Sequence, residues 1–321
     1  MPQNHSRYRS GLPQLQGGLF LTDGGLETTL VFHEGIDLPD FAAFTLFGSA
    51  EGEAALRRYH KSYADIAKRR SAGLILESAT WRASADWGER LGFTPQALAA
   101  ANRRAVQLLE EVRAGFDGSR FVIAGCVGPR GDGYIPGNEM TESQAEIYHR
   151  GQIGTFADTA ADMVTVMTIN YVQEAVGIAR AAKHHKMPVA ISFTVETDGN
   201  LPTGQSLRSA IEHVDQATSG YPSYYMINCA HPSHFGHVLP EDEPWVARII
   251  GLRANASRQS HAQLNESPEL DQGNPVELGQ DYAQFKRRLP QLKVMGGCCG
   301  TDHRHIEQIA IACQPLFGLN G

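Results

Sequence analysis

The chain has 321 residues, 42% of them hydrophobic, and a net charge of -7. That supplies one large core or two modest ones, and its scattered Lys and Arg exclude a nucleic-acid backbone as partner. No apolar run of about eighteen residues is present to span a membrane, and Met1 to Gln16 is polar with no apolar stretch after its basic residues. Residues 1–16 therefore read as a flexible N-terminal segment, and the whole as a soluble, cytoplasmic protein.

Short β-branched runs then alternate with longer helical patterns. Leu19 to Thr22 reads as a first strand, and Glu53 to Arg70, with Leu56, Tyr59, Tyr63 and Ile66 at helical spacing, as a helix. Gly73 to Glu77 is a second strand, followed by a helix over Pro95 to Arg113. Phe121 to Gly125 is a third, with a helix over Gln144 to Ala161. Met163 to Met167 is a fourth, with Tyr171 to Lys183 behind it, and Pro188 to Phe193 a fifth, with Ser206 to Ala217 behind it. Tyr224 to Ile227, Ala247 to Leu252 and Leu292 to Met295 complete the set. Eight strands alternating with helices predict a (β/α)8 TIM barrel over residues 17–318, an open doubly wound sheet being the other arrangement with this alternation. The longest irregular stretches, Gly131 to Thr141 and Ala254 to Pro275, follow strand ends and fall on the face where barrels keep their active sites.

Five cysteines suit reduced thiols with a chemical role better than a disulfide framework. Cys298 and Cys299 are adjacent after the eighth strand, and Cys229 follows the sixth, so all three belong to one rim with a single strand between them. Gly296 and Gly297 permit the close backbone approach or positive φ that lets consecutive side chains face one ion. Three thiolates converging on a rim predict a soft metal, zinc, with a fourth position open to a substrate thiol. Cys126 and Cys313 lack such partners and read as buried apolar residues. His231, His234, His237, His303 and His305 read mostly as solvent-facing groups, not ligands.

These residues resemble the zinc-dependent homocysteine S-methyltransferases, a family that includes the betaine- and S-methylmethionine-homocysteine methyltransferases. The resemblance rests on Thr22-Asp23-Gly24-Gly25-Leu26-Glu27-Thr28, Ser78-Ala79-Thr80-Trp81-Arg82-Ala83-Ser84, Gly128-Pro129 with Gly131, and Ile191-Ser192-Phe193-Thr194. It continues in Ile227-Asn228-Cys229 and in Gly296-Gly297-Cys298-Cys299-Gly300-Thr301 with Asp302, His303 and His305 behind. It implies a (β/α)8 barrel, zinc ligated by Cys229, Cys298 and Cys299, and methyl transfer from an onium donor to a small thiol, homocysteine first, giving methionine.

Asp23 matches a family carboxylate near the homocysteine amine. Glu77, a carboxylate ending an apolar strand, is costly unless paired or solvated, and either binds a cation or pairs with Arg82 or Arg130. Trp81 and Tyr134 are candidates to cage an onium methyl group, and Asn228 to donate a hydrogen bond beside Cys229. At the end of the fourth strand, where the family often carries a glutamate for the homocysteine amine, this chain has Met167. A thioether cannot take a charged hydrogen bond from an ammonium, so another thiol acceptor stays open. A zinc barrel of another reaction class, or a zinc- or thiol-binding barrel without turnover, are further alternatives. No nucleotide-binding fingerprint appears, and the short stretch after the last helix makes methylfolate an unexpected donor.

Overall fold

The computed structural model describes residues 6–266 and 269–318. Eight parallel strands close into one barrel in sequence order: β1 Phe20–Leu21, β2 Gly73–Glu77, β3 Phe121–Val127, β4 Met163–Ile169, β5 Val189–Thr194, β6 Tyr224–Asn228, β7 Ile249–Ala254 and β8 Val294–Gly297. Closure is made by Phe20 and Leu21 pairing with Val294 and Met295.

Strands of such a barrel are buried on both faces, which is why they read as near-continuous apolar runs. Alternate residues divide between two cores. Phe20, Ile75, Val122, Met163, Tyr224, Met226 and Val294 fill the lumen. Leu21, Leu74, Leu76, Ile123, Val164 and Ile227 pack outward against the helices. The helices begin where capping chemistry permits. Ser49, Thr94 and Ser206 each accept from the backbone N–H three residues on, and Thr141 and Gln144 form a reciprocal capping box.

Several expectations change. The strands β3, β4, β6, β7 and β8 run on past their apolar stretches into Val127, Ile169, Asn228, Ala254 and Gly297, because the rim carries polar and glycine residues. After β6 only a four-residue helix, Pro232–Phe235, and short 3-10 turns intervene before β7. The N-terminal segment, expected to be flexible, is held in place over residues 6–16. The Asp162 carboxylate accepts from the Arg7 and Tyr8 amides at 2.6 and 2.8 Å, and the Arg9 guanidinium donates to the carbonyls of Ala157, Thr159 and Ala161. Leu12 joins the lumen core and Gln14 is fully buried beside Met163 and Tyr224, so the segment plugs the barrel at the strands' N-terminal end. Residues 1–5 of that expectation lie outside the described residues. Among the described residues no helix is long and apolar enough to cross a membrane.

Candidate active site

The strands' C-terminal ends surround a cavity of about 360 Å³. The candidates from sequence, Asp23, Glu77, Trp81, Tyr134, Met167, Asn228, Cys229, Cys298 and Cys299, all line it.

Cys229, Cys298 and Cys299 present sulfurs within 4.8 Å of one another. Their positions are fixed by backbone. The Cys229 N–H donates to Arg253 O of β7, the Cys298 N–H to Ala254 O, and the Asn255 side chain holds Cys229 O at 3.0 Å. Gly296 and Gly297 serve close approach, not positive φ: a Cβ would collide with Thr22 Oγ1 at the first and Thr301 Oγ1 at the second. Asn228 Nδ2 donates to Cys229 Sγ at 3.1 Å.

The expectation of reduced thiols holds at Cys126, Cys299 and Cys313 but not at the other two: Cys229 and Cys298 are joined as a disulfide, their Cα atoms 5.4 Å apart. Their sulfurs face one another across β7, so the same convergence that suits a metal also permits oxidation. Only the reduced form offers all three sulfurs as donors. Burial pushes the Cys299 thiol up, and the Glu27 charge adds to that, while the hydrogen bond with Tyr134 Oη, 3.4 Å away, pulls it back. Three soft donors converging within reach of one point fit a zinc ion.

Sequence reasoning missed Arg253, at the end of β7. Its guanidinium lies buried beneath the sulfurs, donating to Asp23 Oδ1 at 2.6 Å, to Glu77 Oε2 and to Gly297 O at 3.0 Å. Glu77 therefore pairs with Arg253, not with Arg82 or Arg130. Arg82 stacks between Trp81 and Trp87, 4.1 and 3.8 Å from the ring centroids, and donates to Gly131 O. Arg130 pairs with Asp86. Desolvation pushes the Glu77 carboxyl up to about 7, against the pull of Arg253. Asp23 is also bonded by Tyr59 Oη at 3.0 Å. The signal for Arg253 was a lone charge closing the apolar run Ile249-Ile250-Gly251-Leu252, the same signal read at Glu77.

Around the mouth, Trp81 carries Arg82 over its ring and also lines the cavity. The Tyr134 and His261 rings lie tilted against each other with centroids 4.2 Å apart, and His261 in turn contacts Cys229 O and Glu196. Met167 is buried in the wall. Among the described residues none of the five singled-out histidines joins the cysteine cluster, and three of them are not solvent-facing. His231, His234 and His305 are buried, and each makes a local hydrogen bond, to Ser233, Arg258 O and Asp302 respectively. Glu27, in the first helical turn after Gly24-Gly25, also lines the cavity, and burial raises its carboxyl.

The homocysteine S-methyltransferase family profile matches residues 20–313. Homocysteine S-methyltransferase 1 of Brassica oleracea var. italica is 21% identical, covering 92% of this chain and 93% of its own. Selenocysteine Se-methyltransferase of the same plant is 22% identical, over 91% and 88%. The fold is shared with the homocysteine methyltransferase MmuM of Escherichia coli. Its oxidised form superposes with a TM-score of 0.73 at 20% identity, covering 92% of this chain and 95% of that one. Its metallated form gives 0.70 at 19%, over 94% and 98%. The chain thus belongs to the homocysteine S-methyltransferase family, a methyltransferase on a (β/α)8 barrel.

Proposed function

We propose that the reduced protein binds zinc through Cys229, Cys298 and Cys299 and moves a methyl group from an onium donor to a small thiol, with homocysteine the first acceptor and methionine the product. The donor is a sulfonium such as S-methylmethionine or S-adenosylmethionine, or a betaine-like quaternary ammonium. The observation that carries this reading is the trio of cysteine sulfurs within 4.8 Å, opening on a cavity.

A free thiol, with a pKa of about 8.5, is mostly protonated at neutral pH, and the thiolate is the nucleophile. Zinc held by three thiolates supplies the charge that keeps a fourth sulfur deprotonated there. The acceptor sulfur attacks the methyl carbon, a carbon–sulfur bond forms, and the donor leaves neutral with the electron pair of its broken bond. No proton moves in that displacement, so the chain's task is orientation. Asn228 and Tyr134 hold Cys229 and Cys299. Arg253 offsets Asp23 and Glu77 beneath them. Trp81, Tyr134 and Met167 supply cavity wall. Residence in the reducing cytoplasm suits thiols of this kind.

Met167 favours a second reading of the acceptor. Without a carboxylate there, an ammonium loses a charged hydrogen bond worth about 1.5–3 kcal/mol, which leaves room for another small thiol. A panel of sulfonium and ammonium donors against homocysteine and other thiols, read by mass spectrometry of the products, separates the two. No methylated thiol from any pair would sink both.

A further inference from the structure

Every carboxylate facing the cavity except one is already engaged. Asp23 is bonded by Arg253 and Tyr59, and Glu77 by Arg253. Asp132 accepts from the Tyr134 and Ile135 amides at 2.7 and 2.9 Å, Asp271 accepts from Ser257 Oγ and the Gly273 amide, and Glu269 has an interaction partner as well. Glu27 is the exception: apart from its own backbone N–H it has no hydrogen bond or ion pair among the described residues. The turn that carries it is pinned to the turn that carries the cysteines. The Gly25 N–H donates to Thr301 O and the Gly300 N–H to Thr28 Oγ1, each at 3.0 Å. Its charge is felt at both Cys299 and Tyr134.

We propose that Glu27 is the specificity-determining residue that holds the ammonium of an amino-acid thiol acceptor, doing from the β1 turn what Met167 cannot do from β4. This rests on the methyl-transfer reading above for its choice of ligand. Two cations enter such a site, the donor's onium centre and the acceptor's ammonium, and physics separates them. The onium charge disappears as the methyl leaves, so a carboxylate paired with it would stabilise the starting state more than the transition state and slow the reaction. The ammonium keeps its charge throughout. A carboxylate paired with it costs the chemical step nothing and fixes the sulfur, a short carbon chain away, beside the cysteines. Asp23 is poorly placed for that task here, since the guanidinium of Arg253 already offsets its charge.

The test compares homocysteine with 4-mercaptobutyrate, which keeps the thiol, chain and carboxylate but lacks the amine. Binding of each to the reduced, zinc-loaded protein is measured by titration calorimetry, with turnover followed in parallel. The wild type is expected to prefer homocysteine. Glu27→Gln is expected to weaken homocysteine by about ten- to a hundredfold while leaving 4-mercaptobutyrate unchanged, so the preference vanishes. Glu27→Ala serves the same comparison should the amide variant fold poorly. A wild type without preference, or variants that keep it, would overturn the proposal. Preference lost on substitution in a protein that methylates neither thiol would uphold Glu27 as the ammonium anchor and refute the methyl-transfer reading instead.

Discussion

Asn228 grips Thr168 with both halves of its amide: Oδ1 accepts from the Thr168 backbone N–H at 3.0 Å, and Nδ2 donates to Thr168 Oγ1 at 2.9 Å. The same Nδ2 reaches Cys229 Sγ at 3.1 Å. Thr168 and Cys229, at the ends of β4 and β6, are both left-handed, with φ of 64° and 56°. Each such non-glycine residue costs about 1–3 kcal/mol and persists only where its surroundings enforce it. One side chain thus holds two unfavourable backbone turns and one sulfur of the trio.

Asn228→Ala should therefore act on both stability and site. It is expected to lower unfolding free energy by about 1–3 kcal/mol, read from urea midpoints. Zinc affinity should fall by about ten- to a hundredfold, measured by competition with a chromophoric chelator. Unchanged zinc affinity would show that Asn228 supports the barrel only.

Arg253→Met leaves Asp23 and Glu77 buried without their cation. Breaking a buried pair from one side costs about 3–5 kcal/mol. Adding Glu77→Gln should recover part of that loss, because it removes one of the stranded charges. Equal stability of the single and double variants, measured by thermal unfolding, would contradict the pairing.

Between about pH 6.5 and 4, His60 should withdraw stability, against the opposite contribution of Glu77, whose carboxyl is raised to about 7. Burial holds its imidazole down at about 4, with Asp23 pulling the other way, whereas an unfolded histidine titrates near 6.5. The folded state then binds fewer protons than the unfolded one. Its stabilising contribution is complete above about 6.5 and is lost as pH falls below that. At pH 5 the loss is on the order of 2 kcal/mol. His231, lowered to about 4 mainly by burial, acts in the same direction. The difference in urea midpoint between wild type and His60→Gln should therefore shift between pH 7 and 5 by the amount of that loss; parallel curves would refute the assignment.

Cys229→Ser and Cys299→Ser each remove one soft donor. Zinc retained after dialysis, measured by atomic spectroscopy on protein kept reduced, should drop from one ion per chain to far below stoichiometry, and methyl transfer should fall with it. Full retention in either variant would remove that cysteine from the ligand set.

The barrel was legible because each strand is buried on both sides, as in Val122-Ile123-Ala124, so the apolar runs stand out whatever the pairing. The cysteine trio was legible for a different reason: Cys229, Cys298 and Cys299 follow strands with one strand between them, and barrel closure alone brings them to one rim. What stayed hidden depends on distance along the chain or on polar residues serving as core. Arg253 meets Glu77 across 176 positions, and nothing local to either names its partner. Leu12 and Gln14 plug the barrel from a segment whose composition suggests disorder. Glu27 stood in a conspicuous run, but its isolation appears only once Asp23, Glu77 and Asp132 are seen to be taken.

The most direct measurement supplies the reduced, zinc-loaded protein with homocysteine and S-methylmethionine bearing a deuterated methyl group, and follows the label by mass spectrometry. The intact deuterated methyl should appear on the homocysteine sulfur, at a rate that collapses in Cys229→Ser. No labelled thioether, with this donor or with betaine or S-adenosylmethionine in its place and with other small thiols as acceptors, would contradict the account.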